Sequence, residues 1–221
     1  PRRGSMGFSP RKRANRPYGT ITAWPSTESE SIRVQGFAGW KAGMTHVLLR
    51  DLNPSSTSAG QEIRKAVTVV ETPPMKVLGV RGYIMDPYGL RTAGEVWCEP
   101  DDLPDGLTPR LANATRGERD ASEGRKPSKR SGRIPNRGTG FNQAAFDSLS
   151  SSNLVEVRLI AATQPKLVSG SPSKTSEIME LNLVGGTSTE KLEWAKERLG
   201  SEITIEDVWE GGQEIDVIGI T

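Results

Sequence analysis

Ala66-Val-Thr-Val-Val-Glu-Thr-Pro-Pro-Met-Lys-Val-Leu-Gly-Val-Arg-Gly-Tyr-Ile-Met85 holds two strand-forming runs divided by a proline pair. The first, Ala66 to Glu71, is dominated by Val and is stopped by Pro73-Pro74, which can neither donate to a ladder nor continue a helix. The second, Met75 to Met85, reads as a strand with Val77, Gly79, Arg81 and Tyr83 on one face and Lys76, Leu78, Val80, Gly82 and Ile84 on the other. Downstream, Asp86-Pro87-Tyr88-Gly89 is a turn and Thr92 to Glu99 a further strand containing Val96, Trp97 and Cys98. Upstream, glycines punctuate Gly36 to Val47, where Phe37, Trp40, Met44 and Val47 offer surface to bury, and Met44 to Arg50 reads as another strand. Three or four short strands with little helix between them predict an antiparallel barrel or meander rather than a doubly wound sheet.

The remaining chain supplies helices and charge. Its 221 residues fit one large domain or one domain with an insertion, and 34% hydrophobic content with 24 Gly and 15 Pro favours strands and turns over a helix bundle. Phe141 and Phe146 bracket Asn142 in the spacing of a hydrophobic staple, so a short helix is expected to reach about Leu149. Leu154 to Thr163 alternates as a strand, with Val155, Val157, Leu159 and Ala161 opposed to Leu154, Glu156, Arg158 and Ile160. Ile178 to Val184 is another. Thr187 to Glu190 is a capping box opening a helix to Leu199 that buries Leu192, Ala195 and Leu199, and Gly200 ends it. A short turn at Thr204 to Asp207 and a strand at Glu214 to Ile220 complete the reading.

Charge is distributed unevenly. Arg2, Arg3, Arg11, Lys12, Arg13 and Arg16 crowd the first sixteen residues, and the first carboxylate is Glu28. A segment of this composition has too little apolar surface to offset its ordering entropy, so it is expected to become fixed only against a polyanion, a phosphate backbone above all. A solvated, solubilising tail is the plainer alternative. A second basic run, Arg125, Lys126, Lys129, Arg130, Arg133 and Arg137, contains no acid between Gly124 and Gly140. Residues 1–140 carry a surplus of nine positive charges and residues 141–221 a deficit of seven, which recovers the net charge of +2. Such asymmetry suggests one face for a polyanion and another for solvent or protein neighbours.

Chemistry is conspicuously thin. The single histidine, His46, has no partnered base or nucleophile visible in sequence. Cys98, the single cysteine, sits in an apolar strand between Trp97 and Glu99 and reads as a packed thiol. No Cys or His pair has zinc-ligand spacing, and Asp101, Asp102 and Asp105 lack the oxygen pattern of a calcium loop. Gly185-Gly186 before Thr187 lacks the lysine of a P-loop and reads as a helix-entry turn. The tryptophans are scattered rather than arrayed for base stacking, with Trp24 and Trp40 the ones nearest basic or flexible segments. With no apolar run of membrane-spanning length and no signal core, the expectation is a cytoplasmic, non-enzymatic protein.

Several segments in order resemble the universal large-subunit ribosomal protein three in its archaeal and eukaryotic form. They are Gly4 to Arg13 (GSMGFSPRKR), Gly36 to Val47 (GFAGWKAGMTHV), Val67 to Leu78 (VTVVETPPMKVL), Val157 to Gln164 (VRLIAATQ), Leu181 to Leu199 (LNLVGGTSTEKLEWAKERL) and Asp207 to Thr221 (DVWEGGQEIDVIGIT). The resemblance implies a β-rich mixed fold: a translation-type antiparallel β-barrel with an α+β insertion and a basic extended N-terminal arm that threads into rRNA. It divides the chain into an arm and linker (1–33), a first barrel part (34–99), the insertion with its basic loop (100–202) and a return to the barrel (203–221). It implies a structural constituent of the large ribosomal subunit that binds large-subunit rRNA, supports assembly and buttresses the region near the peptidyl transferase centre. Neighbouring ribosomal proteins are then partners, with no cofactor, membrane or small-molecule substrate. The six arm cations match the family's rRNA-binding extension and Lys41 falls within its glycine-rich motif, whereas the Arg125 to Arg137 run is assigned to rRNA by charge alone. Family members continue past the equivalent of Ile220-Thr221 into a Lys/Gly-rich loop and barrel-completing strands. The expectation is therefore a fragment, or a remainder on another chain, with an open sheet edge. The competing reading is an extraribosomal adaptor whose barrel binds protein.

Overall fold

A computed structural model of the chain describes residues 3–5, 7, 16–25, 29, 31–99, 102–104, 107 and 140–220. Among them the strands run β1 (Arg33–Gln35), β2 (Trp40–Arg50), β3 (Glu62–Glu71), β4 (Met75–Asp86) and β5 (Gly89–Trp97). Then follow α1 (Gln143–Ser151), β6 (Glu156–Ala162), a 3-10 turn (Pro165–Leu167), β7 (Ile178–Val184), α2 (Ser188–Glu197) and β8 (Glu202–Ile203). Five strands form one antiparallel path in the order β1-β7-β6-β4-β5, with β8 beside the start of β4, while β2 and β3 pair only with each other. The fold is thus β-rich and antiparallel, as the sequence predicts. Neither sheet closes into a barrel among the described residues.

The large sheet is held between two apolar layers. Towards the helices it presents Val34, Val77, Val80, Val157, Leu159, Ala161, Leu181 and Leu183, which pack under Phe146 and Leu149 of α1 and Leu192 and Ala195 of α2. Each fully buried aliphatic side chain of this kind stabilises the fold by about 1.5–3 kcal/mol. The opposite face holds a smaller cluster of Leu78, Trp97, Leu107, Ile160 and Ala162.

β4 departs from the simple alternation expected for it. A bulge between Val77 and Gly79 in the pairing with β6 shifts the register by one residue. Val77 and Val80 therefore share the helix-side core, whereas Leu78 joins the opposite cluster beyond which Arg81 and Tyr83 lie. β6 keeps the expected alternation, with Val157, Leu159 and Ala161 on the helix side and Ile160 opposite.

Local chemistry sets the helix starts. Asn142 Oδ1 accepts from Ala145 N at 3.2 Å, and the Phe141 and Phe146 rings stand 6.0 Å apart as the staple requires. At α2 the Thr187 hydroxyl accepts from Glu190 N at 3.4 Å while Thr187 N donates to Glu190 Oε2 at 2.8 Å, closing the capping box. Gly185 precedes it at φ +85°, and a Cβ there would stand 2.3 Å from Ser31 O. Only glycine lets β7 turn away past the start of β1. Thr204 to Asp207 forms a hydrogen-bonded turn, Asp207 Oδ2 accepting from Thr204 N and Oγ1 at 2.8 Å each.

The expectation of a strand at Glu214 to Ile220 is corrected: the segment has no strand pairing and exposes Ile215, Val217, Ile218 and Ile220. Its alternation is real, but a strand exists only with a neighbour to take its backbone groups, and none of the described strands does so.

Candidate nucleic-acid interface

The β2–β3 hairpin stands apart from the core. Its ladder runs from Trp40 opposite Glu71 to Arg50 opposite Glu62, with a bulge between Lys41 and Gly43. Because opposed residues share a face, one face carries Lys41, Met44, His46, Leu48 and Arg50 on β2 with Val70, Thr68, Ala66, Arg64 and Glu62 on β3. The other carries Trp40, Gly43, Thr45, Val47 and Leu49 with Glu71, Val69, Val67, Lys65 and Ile63. The connecting loop is closed by Asp51: Gly60 N donates to its carbonyl at 2.8 Å, and its side chain accepts from Asn53 N at 3.0 Å and Ser58 Oγ at 2.7 Å. Hydrogen bonds from Ser56, Ser58 and Asn53 hold that carboxyl below its ordinary value.

Lys41 is exposed on this hairpin, and Arg3 and Arg16 of the arm are exposed as well. Arg2, Arg11, Lys12, Arg13, Arg125, Lys126, Lys129, Arg130, Arg133 and Arg137 lie outside the described residues. Trp24 covers Gly36, whose φ is +96°, with ring carbons 3.1 and 3.2 Å from where a Cβ would stand, so this tryptophan packs on backbone. Trp209 meets Phe37 edge-on at 6.4 Å, and Arg198 lies 3.9 Å from the Trp194 ring centroid.

A different charged set lies on the large sheet, on the face away from the helices. Arg81 pairs with Glu95 and Glu180; Arg158 pairs with Glu156 and with Glu180 Oε2 at 3.2 Å. The Tyr83 hydroxyl donates to Glu180 Oε2 at 2.7 Å, beneath the Arg158 guanidinium at 4.4 Å from its ring. Burial works against the Arg81 charge, yet the hydrogen bond to Glu95 and the fields of Glu95 and Glu180 raise its pKa. Burial and the Glu180 hydrogen bond likewise raise that of Tyr83. Both guanidinium groups are consumed by carboxylates, so this cluster serves the sheet and offers little to a phosphate. No sequence signal pointed to it, because its members come from four strands.

Cys98 is buried, and desolvation pushes its thiol up to about 11. His46 accepts at Nδ1 from Arg64 Nη2 at 3.0 Å and lies exposed on the hairpin. No group of three His, Cys, Asp or Glu residues among the described ones is placed to hold a metal ion. No helix among them is long and apolar enough to cross a membrane.

The family model described as ribosomal protein L3 matches residues 1–221. Large ribosomal subunit protein uL3 of Archaeoglobus fulgidus is 42% identical over 221 residues, covering all of this chain and 58% of that protein. The namesake from Methanopyrus kandleri is 40% identical over 222 residues, covering all of this chain and 55% of the relative. That of Halobacterium salinarum is 36% identical over 223 residues, with 59% of the relative covered. The chain thus spans somewhat over half the length of these curated relatives. With the match running unbroken from the basic arm to the last residue, the chain belongs to the ribosomal protein L3 family.

Proposed function

We propose that the chain is a non-catalytic, rRNA-binding component of the large ribosomal subunit, acting in the cytoplasm beside neighbouring ribosomal proteins. The observation that carries this reading is the end-to-end match to large-subunit relatives. Six cations within sixteen residues, of which Arg3 and Arg16 are exposed, support an arm that orders on RNA by neutralising phosphates. The second basic run, Arg125 to Arg137, is proposed as a further rRNA contact on charge. In this reading the protein supports subunit assembly and buttresses rRNA near the peptidyl transferase centre. The hairpin face with Trp40, Val47, Leu49, Ile63, Val67 and Val69 fits one wall of a translation-type barrel, its apolar side turned towards an interior.

Deleting residues 1–16 tests the arm. If five or six cations meet phosphates, the log-log salt dependence of rRNA binding becomes shallower by roughly 3–4, at about 0.7 per single-stranded contact. An unchanged slope removes the arm from the interface. Protein that stays free of the large subunit on sedimentation at moderate salt overturns the ribosomal reading and favours an extraribosomal adaptor.

A further inference from the structure

We propose that the hairpin face bearing Lys41, Arg50 and Arg64 is an RNA-backbone contact independent of the arm, with His46 as a fixed hydrogen-bond donor at its centre. The inference rests on the rRNA-binding reading above and names a surface within it.

The two charged sets of the molecule differ in what their cations touch. Arg81 and Arg158 are tied to carboxylates. Among the described residues, no carboxylate lies within ion-pairing distance of Lys41, Arg50 or Arg64. Arg50 donates from Nε to Gly60 O at 3.1 Å, and Arg64 from Nη2 to His46, so each guanidinium keeps most of its five donors for a partner. The face has one acid, Glu62 directly opposite Arg50, against these three cations, whereas the opposite face carries one cation, Lys65, and one acid, Glu71. Arg50 and Arg64 are diagonal neighbours on this face with no carboxylate at ion-pairing distance among the described residues, an arrangement that favours an anion.

The spacing favours a polymer of phosphates over an acidic protein patch. Lys41 and Arg50 sit near opposite ends of β2, roughly 30 Å apart for nine steps at ~3.3 Å per residue, with Arg64 across from Leu48 near the Arg50 end. A narrow two-stranded ribbon with two cations at one end and a third at the other can follow a chain of phosphates over that length. Arginine forks suit phosphate oxygens, and Met44 and Leu48, 66% and 69% exposed between the cations, offer apolar contact to sugars and bases.

His46 gains a defined role from its neighbour. A guanidinium has no acceptor, so the Arg64 contact obliges Nδ1 to accept and leaves the proton on Nε2. The exposed imidazole then presents its Nε2–H outward as a directional contact to a phosphate or base.

The test uses the protein with Lys41→Gln, Arg50→Gln and Arg64→Gln together, the arm intact, and large-subunit rRNA as ligand. The salt slope of binding is expected to fall by about 2–3, at roughly 0.7–0.9 per phosphate, with the urea midpoint unchanged because all three side chains are exposed. A slope equal to that of the unsubstituted protein overturns the proposal. If the unsubstituted protein itself fails to bind rRNA, the ribosomal reading fails instead. Should the triple variant keep its rRNA slope but lose a neighbouring protein from reconstituted subunits, the face is an acidic-protein site and the proposal is overturned. Independently of the variant, a photoreactive residue at position 48 is expected to crosslink to rRNA in the assembled subunit, and crosslinks only to protein count against the inference. His46→Phe is expected to weaken binding several-fold at an unchanged slope; unchanged affinity removes the histidine from the contact.

Discussion

The six-stranded sheet and the β2–β3 hairpin are made of similar residues, yet they are stabilised in opposite ways. In the sheet, Val80, Leu159 and Leu181 are buried on one face and the charged residues of the other neutralise each other through Glu180. In the hairpin, most side chains of both strands are exposed and the cations of one face have no carboxylate at ion-pairing distance among the described residues. A two-stranded ribbon gains little from burial by itself, and its order here comes from its ladder and from the Asp51 loop. The difference teaches that the sheet meets both its apolar and its charged side chains from within, whereas the hairpin is ordered through its backbone and leaves most of its side chains exposed.

The sharpest way to break that contrast is a matched pair of truncations. Leu159→Ala, at a fully buried site, is expected to cost about 2–5 kcal/mol in urea denaturation, while Leu48→Ala on the hairpin stays within about 0.5 kcal/mol. Equal losses would show that the hairpin is as much core as the sheet. Next, Glu180→Gln strips Arg81 and Arg158 of a shared counter-charge and is expected to cost about 2 kcal/mol, since two largely buried guanidinium groups each lose one of their two carboxylate partners. Thr187→Ala opens the capping box of α2 and should lower stability by about 1 kcal/mol, readable as a drop in the urea midpoint.

The smallest effect is a pH dependence. The Tyr83 pKa is raised in the fold, so its contribution is fully present below the ordinary value of 10.0 and is lost as pH rises through the folded value. The stability difference between the protein and its Tyr83→Phe variant should therefore shrink above pH 10. A difference constant from pH 8 to 11 would mean that Tyr83 does not sense Glu180.

What the sequence made legible follows the range of the interaction. Asn142 and Thr187 announce their helices because a cap needs only the next three or four residues. Ile178–Val184 has the bounds its residue types predict. β3 begins at Glu62, earlier than its apolar run, because Glu62 to Lys65 lie on an exposed ribbon where no hydrophobic signal marks a strand. Such a shortened strand leaves out Arg64, and with it the partner of His46, while Lys41 is singled out on this face only through the family resemblance, whose glycine-rich motif contains it. The ionic cluster was illegible for another reason: residues 81, 95, 156, 158 and 180 meet only once four strands are in register. The bulge in β4 depends equally on its neighbour, since alternation within one strand cannot announce a slip against another.

That bulge reaches beyond local geometry. By keeping Val77 and Val80 on the helix side with Leu78 opposite, it lets one strand serve as the common wall of two compartments. A β6 that slid by a residue to relieve damage in one compartment would empty the other, so neither can be repaired at its neighbour's expense. A one-residue insertion or deletion within the paired stretch of β6 would exchange its two faces and so disturb both compartments at once.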